Sequence, residues 1–358
     1  MQYHENELQR LLQTINPPDE TARELAHKKW NDCAKPLGSL GLLETALEGI
    51  AALTHSETIS LFPRAVLVLC ADNGVVAQGV TQTQSDITAL VTNNLAMKRT
   101  PVCRMAKVAN CQVVPVDMGV LDFPPTEGVL NRRVGNGTAD ISQGPAMTRE
   151  QAVQAVLNGI DLVREQKEQG VRLLATGEMG IGNTTTTSAV ASVLLGKEVC
   201  EMTGRGAGLS REGLQKKIQV IEQAIRVNQP NPNDPLDVLS KVGGFDIAGL
   251  CGVFLGGAIY EVPILADGLI STVAALCAVR LCPYAEKAVF ASHVSAEPAG
   301  AMILQALNRS PLITAGMRLG EGTGAVAAIP LLDMACAVYQ ESDTFDEIGM
   351  DSYVPQGD

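Results

Sequence analysis

The chain has 358 residues, 46% of them hydrophobic and 3% aromatic, and its 27 Lys plus Arg against 39 Asp plus Glu leave a formal charge of −12. So apolar a chain can bury a large core, which excludes disorder as the default state. So acidic a surface repels phosphate backbones, which argues against a nucleic-acid partner and leaves any anionic ligand to local devices such as backbone N–H groups and a few cations.

Taken in chain order, Leu8, Leu11, Leu12 and Ile15 recur at helical spacing until Pro17-Pro18 stops the pattern. A second helix is expected over roughly 18–34. The turn Pro36-Leu37-Gly38-Ser39 follows, with Ser39 as a candidate N-cap, and a third helix from about 41 to 54. From residue 65 short apolar runs end abruptly in a small or charged residue. They are Ala65–Ala71 before Asp72, Gln112–Val116 before Asp117 and Val171–Thr176 before Gly177-Glu178. Val262–Ala266 before Asp267, Ala288–Ala291 before Ser292-His293 and Ile313–Leu319 before Gly320-Glu321 complete the set. Runs that are apolar throughout signal strands buried on both faces, as in a parallel sheet, and such sheets bind ligands beyond the carboxyl ends of their strands. Asp72, Glu178, Asp267, Ser295 and Glu321 are therefore candidates for one cleft. The stretch 118–146, with Pro124, Pro125, Gly135, Gly137 and Gly144, reads as an excursion over the surface. Residues 229–236 read as a rigid connector between helices, and the polar residues from about 346 as loosely packed.

The polar start Met1-Gln2-Tyr3-His4-Glu5 lacks the charged-then-apolar order of a secretory signal. The apolar stretches near 245–280 and 324–339 are interrupted by Asp246, Glu261, Pro263, Asp267 and Asp333, so they read as core elements, not membrane spans. Nine cysteines without a C-x-x-C pair suggest reduced core thiols in a cytoplasmic protein, and the four histidines have no zinc-ligand spacing.

Three glycine-rich segments carry the chemistry. Thr176-Gly-Glu-Met-Gly-Ile-Gly-Asn-Thr-Thr-Thr-Thr187 leaves a strand and enters a helix, a place where backbone N–H groups and the helix dipole favour an anion. Gly177 and Gly182 have the outer spacing of a P-loop, but Asn183 stands where that motif needs Lys, which argues against nucleotide triphosphate hydrolysis. Thr203-Gly-Arg-Gly-Ala-Gly-Leu209 precedes a helix with Lys216 and Lys217, which by spacing are either solvated or able to reach a phosphate. Arg318-Leu-Gly-Glu-Gly-Thr-Gly324 places Glu321 among flexible neighbours at a strand exit, where desolvation would raise its pKa towards a useful general base. Ser295 has no partner spacing for a nucleophile and reads as a substrate hydroxyl contact.

In this order the segments resemble the nicotinate mononucleotide:5,6-dimethylbenzimidazole phosphoribosyltransferases. The resemblance runs from Lys35-Pro-Leu-Gly-Ser-Leu-Gly-Leu-Leu-Glu44 through Asp72-Asn-Gly-Val-Val76, the Gly177–Thr187 loop and Gly204–Leu209. It continues through Gly243-Gly-Phe-Asp-Ile247, Ala266-Asp-Gly268, Ser292–Pro298 and Arg318–Gly324 to Thr344-Phe-Asp346. It implies an α/β fold: a Rossmann-like catalytic domain over 61–324 with a parallel six-stranded sheet flanked by helices, and a small helical domain from residues 1–60 and 325–358. It also implies a dimer, of identical or homologous subunits. The implied reaction moves ribose 5-phosphate from nicotinate mononucleotide to an aromatic cobamide lower-ligand acceptor, with inversion at C1′ and no cofactor or metal. By position the catalytic base falls on Glu321 and the nucleotide contacts on Glu178, Gly180, Lys217, Asp267 and Ser295, with Gly182, Asn183 and Gly320 beside them.

The chain departs from the family around the acceptor pocket, which the resemblance places at Asn73, Thr81, Leu90 and Met179. Asp72-Asn73-Gly74-Val75 replaces Asp-His-Gly-Val, Ile87-Thr-Ala-Leu90 replaces Val-Thr-x-Gln, and Arg99-Thr-Pro-Val102 replaces Gly-Gly-Ala-Ala. Leu90 offers no hydrogen bond to an imidazole nitrogen, so phenols or other bases are expected to serve at least as well as dimethylbenzimidazole. Two other readings are a non-catalytic or partner-dependent subunit, against which Glu321 and Lys217 stand, and a nucleotide-dependent oxidoreductase, whose glycine fingerprint is missing.

Overall fold

The structure, a computed structural model, describes residues 2–354. Its strands are β1 (Arg64–Ala71), β2 (Gln112–Gly119), β3 (Leu130–Asn131), β4 (Leu173–Met179), β5 (Ile264–Ala266) and β6 (Val289–Ala291). They form one six-stranded sheet in the order β3-β2-β1-β4-β5-β6, with every neighbouring pair parallel. The chain order reverses between β1 and β4, which opens a crevice beyond their carboxyl ends. The first helices are α1 (Gln2–Leu12), α2 (Glu20–Asp32), α3 (Leu42–Thr54), α4 (Asp86–Ala96), α5 (Pro101–Val108) and α6 (Arg149–Glu168). The next are α7 (Asn183–Leu195), α8 (Val199–Met202), α9 (Arg211–Asn228), α10 (Pro235–Val242) and α11 (Phe245–Tyr260). The last are α12 (Leu269–Leu281), α13 (Gly300–Ala306) and α14 (Thr323–Glu341).

All of β1 is buried, and alternate residues feed two cores. Ala65, Leu67, Leu69 and Ala71 join the core built with α6, α11 and α12, while Val66, Val68 and Cys70 join the core on the other face, with α3 and α14. This is why the run is apolar throughout instead of alternating. The abundance of small residues is explained where α6 crosses α11: a Cβ on Gly159 would lie 2.0 Å from Gly249 O, so the helices touch through backbone. The chain ends meet through Trp30 and Tyr339, whose rings are 4.9 Å apart, and through the Ala34 and Phe345 N–H groups, which donate to Asp343 and Asp32. Leu8, Leu12 and Ile15 of the α1 segment instead join the core on the opposite face of the sheet. By length and composition α14 could cross a membrane; here half of it is buried in the fold.

Five of the expected strands form, with shifted ends. The sixth does not. Ile313–Leu319 makes a single bridge, from Ile313 to His293, and Leu319 is 56% exposed. Gly316 has a φ of +64°, a conformation no strand residue takes, and the pairing stops short of it. The sixth strand is β3, inside the stretch read as a surface excursion; two residues are too few to show any periodicity. Ser39 is not a cap either, because α3 starts after Gly41 without a side-chain cap. Residues 229–236 do connect α9 to α10, and residues 346–352 are exposed. Six cysteines are buried, but Cys111 and Cys336 are half-buried and Cys200 is exposed, so not all are core thiols.

Candidate active site

The crevice is a cleft of about 230 Å³ lined by the exits of β4, β5 and β6, the 203–209 loop, α9 and the 318–321 loop. Glu178, Gly180, Gly182, Asn183, Lys217, Asp267, Ser295, Gly320 and Glu321 all line it, as do Thr81 and Met179. Expected residues from distant parts of the chain thus share one wall.

Glu178 ends β4 pointing into a buried polar nest. The Asn183 amide donates to Glu178 Oε2 and, over 3.1 Å, to Asp246 Oδ2. Asn183 therefore orders two carboxylates and does not stand in for a P-loop lysine. Burial, and then the nearby Asp246, push Glu178 up to about 8, and burial pushes Asp246 up to about 6. Close carboxylates in a low dielectric cannot all ionise, so Glu178 is a neutral acid at pH 7.

Lys217 is carried by α9, whose first turn is capped by Ser210 Oγ accepting from Gly213 N–H at 3.1 Å. Ile218, Val220, Ile221 and Ala224 bury one face of that helix and carry Lys217 in with them. It is 1% exposed, and its Nζ donates to Thr184 Oγ1 at 2.8 Å and to Gly204 O at 3.3 Å. Among the described residues it forms no ion pair. Burial pushes it down to about 8, with Glu297 pulling it part of the way back. A buried ammonium held only by neutral oxygens is a site for an incoming anion. Its neighbour Lys216 is exposed, so the choice between the two lysines is made by packing.

Asp267 is a structural anchor as well as a lining residue. Its carboxylate accepts from Gly322 N–H at 3.2 Å, Gly324 N–H at 2.8 Å and Ala325 N–H at 3.1 Å, which ties the start of α14 to the exit of β5. Immediately before that start stands Glu321, with a φ of +60° between Gly320 and Gly322 at +91° and +90°. A left-handed glutamate costs about 1 kcal/mol or more and persists where the surroundings impose it, commonly at functional sites. Glu321 Oε2 accepts from Val102 N–H at 3.2 Å. Burial raises its pKa; hydrogen bonds from Val102 N–H and the Thr100 hydroxyl offset part of that. A desolvated carboxylate of raised pKa beside an open cleft is equipped to take a proton.

Two expected acceptor contacts are absent from the cleft. Leu90 is 55% exposed on α4, and the nearby Thr88 points inward instead, accepting from Ile181 N–H at 3.1 Å. Helical geometry, which turns positions two apart to different faces, makes the difference. Asn73 is buried behind the wall, where its Oδ1 accepts from Thr186 Oγ1 at 3.2 Å. Asp72 also lies behind it, its Oδ2 accepting from Leu121 N–H at 2.7 Å. Among the lining residues outside the expected set, His293, Arg205 and Arg318 bring groups that can carry charge. The two arginines had a signal in the sequence, since each lies within a glycine-rich segment of an acidic chain. His293 had none beyond its place at a strand exit.

A phosphoribosyltransferase family profile matches residues 15–350. The nicotinate-nucleotide–dimethylbenzimidazole phosphoribosyltransferase of Ruminiclostridium cellulolyticum is 47% identical over 330 residues, covering 92% of this chain and 94% of the relative. That of Acetivibrio thermocellus is 45% identical over 349 residues, covering 97% and 99%. The crystal structure of CobT from Thermus thermophilus superposes with a TM-score of 0.88 at 37% identity, over 93% of this chain and all of that one. Sequence, fold and a cleft with a basic carboxylate and a buried cation agree: the chain belongs to the nicotinate-nucleotide–dimethylbenzimidazole phosphoribosyltransferase family and is a phosphoribosyltransferase.

Proposed function

We propose that the enzyme transfers ribose 5-phosphate from nicotinate mononucleotide to dimethylbenzimidazole or a kindred aromatic base. The observation that carries this reading is the pairing, in one cleft, of Lys217, a buried cation that has no ionic partner among the described residues, and Glu321, a desolvated carboxylate in a strained loop. Lys217 and the glycine loops take the phosphate, which fixes C1′ of the ribose. The unprotonated ring nitrogen of the acceptor attacks C1′ as Glu321 takes the proton from the ring's other, N–H nitrogen, which leaves the product uncharged at its ring. The C1′–nicotinate bond breaks with its electron pair going to the pyridinium nitrogen, so the leaving group departs as an uncharged ring nitrogen and needs no acid. Attack opposite the leaving group inverts β to α at C1′. The neutral state of Glu178 removes a negative charge from beside an anionic substrate.

The reading in which phenols are preferred rested on Leu90 facing the acceptor, and its side chain does not line the cleft. We therefore take the base as acceptor. Incubating the purified chain with nicotinate mononucleotide and a panel of benzimidazoles, purines and phenols, followed by mass spectrometry, tests the proposal. An α-riboside phosphate of dimethylbenzimidazole is expected from the chain alone; product only with a second, different subunit would make it partner-dependent, and none with any acceptor would sink the reading.

A further inference from the structure

We propose that His293 Nε2 accepts a hydrogen bond from a hydroxyl of the substrate's ribose, and so selects ribonucleotide over deoxyribonucleotide. This deepens the reading of nicotinate mononucleotide as donor and rests on it.

The argument begins with one proton. Ser292 Oγ donates to Ala266 O at 2.5 Å, and a serine hydroxyl has a single hydrogen. The contact of 3.1 Å between Ser292 Oγ and His293 Nδ1 must then be Nδ1–H donating to Oγ. Asp267 Oδ1, 3.9 Å from Nδ1, favours a proton on that same nitrogen. The network therefore assigns the Nδ1–H tautomer, and in the neutral ring Nε2 carries a lone pair.

The ring cannot turn away from this arrangement. His293 is 3% exposed, and a Cβ on Gly324 would lie 1.9 Å from its Nδ1, so α14 packs flat against it. On the other edge Nε2 is 3.5 Å from where a Cβ on Gly268 would stand, at the exit of β5. The residue lines the same cleft as Lys217 and Glu321, and among the described residues Nε2 has no hydrogen-bond partner. A pre-oriented acceptor without a partner calls for a donor from the ligand.

Nicotinate mononucleotide narrows the choice. Near neutral pH its carboxylate offers no proton and its phosphate is anionic, so its hydrogen-bond donors are the two ribose hydroxyls. The acceptor base brings one N–H, which goes to Glu321 in the transfer. A ribose hydroxyl is what remains for Nε2. A site built to accept from a hydroxyl rejects the analogue that lacks it, because its buried acceptor is left unpaired.

The test compares binding of nicotinate mononucleotide with that of its 2′-deoxy and 3′-deoxy analogues, by calorimetry, to the wild-type enzyme, His293→Phe and His293→Gln. Wild type is expected to bind one analogue about tenfold more weakly than the ribonucleotide, the worth of one buried hydrogen bond. His293→Phe should bind the ribonucleotide about as weakly as wild type binds that analogue, with no further loss when the hydroxyl is removed. His293→Gln, whose amide oxygen reaches near the Nε2 position, should recover part of the discrimination; this keeps the test intact if the phenylalanine variant does not fold. Discrimination that is absent in wild type, or undiminished in both variants, overturns the contact while leaving the donor assignment standing. No saturable binding of nicotinate mononucleotide to wild type would overturn the donor assignment, and the contact with it.

Discussion

A Cβ atom on Gly177 would lie 2.5 Å from the carbonyl oxygen of Glu321, so the exit of β4 and the loop that carries the basic carboxylate are in backbone contact. The strained turn at 320–322 is seated on the strand that also carries Glu178. Gly177→Ala must push the Glu321 loop outward by about an ångström, and displacements of that size cost about 10²-fold in rate. The expected signature is a fall in turnover of that order with affinity for nicotinate mononucleotide changed far less. Equal losses in both would mean that the whole cleft has been distorted.

Glu321→Gln keeps the shape of the side chain and removes its basicity. Turnover should fall by about two to four decades, the usual worth of a general base, while nucleotide binding stays close to normal. Rapid-quench kinetics alongside calorimetry separates the two. Near-normal turnover would make Glu321 structural and turn attention to another carboxylate of the cleft.

The pH dependence of kcat/KM for nicotinate mononucleotide follows from two groups. Burial raises the pKa of Glu321, so the acid limb should lie above the ordinary carboxylate range. Lys217 in the free enzyme sits at about 8, so affinity for the phosphate should decline as pH rises through that value and the ammonium is lost. Lys217→Ala is expected to remove the alkaline limb and to weaken nucleotide binding by about 1.5–3 kcal/mol, leaving the acceptor's affinity unchanged. An alkaline limb that survives the substitution assigns it to some other group.

Glu178 ties stability to pH. Its folded pKa, about 8, lies above the unfolded value of 4.5, so between those values the native state holds a proton that the unfolded chain releases. Its contribution to stability is complete below pH 4.5 and is lost as pH rises through about 8. Glu178→Gln should flatten this part of the Tm–pH curve. A slope unchanged by the substitution would place the proton on another group.

Leu90→Gln introduces the amide that the family resemblance led one to expect at that position. Because the side chain does not line the cleft, the ratio of kcat/KM for dimethylbenzimidazole and a phenol should change by less than about 0.5 kcal/mol, as for other surface substitutions. A tenfold swing towards dimethylbenzimidazole would show that α4 turns this face to the acceptor during turnover.

The parallel sheet and one side of it were legible from the residues. Strands buried on both faces must be apolar throughout, and they must end where a polar residue meets the crevice; that logic placed Glu178 at the end of β4, Asp267 after β5 and Ser295 beyond β6, whereas Glu321 was reached through a strand, Ile313–Leu319, that does not form. Glycines on both sides of Glu321 were legible for a related reason, since a left-handed turn leaves the mark of its neighbours on the sequence. The tertiary structure alone decided the rest. β3 has only two residues and gains strand geometry from β2, so no local pattern announces it, while Ile313–Leu319 has the composition of a strand but is broken by Gly316. Lys216 and Lys217 are chemically alike, and only the packing of α9 buries one and leaves the other in water. Leu90 and Asn73 occupy the expected segments, yet one faces out and the other lies behind the wall. Composition and spacing report which residues are near a strand exit. The direction of a side chain, and the cost of the charge it carries inward, depend on contacts with residues far along the chain.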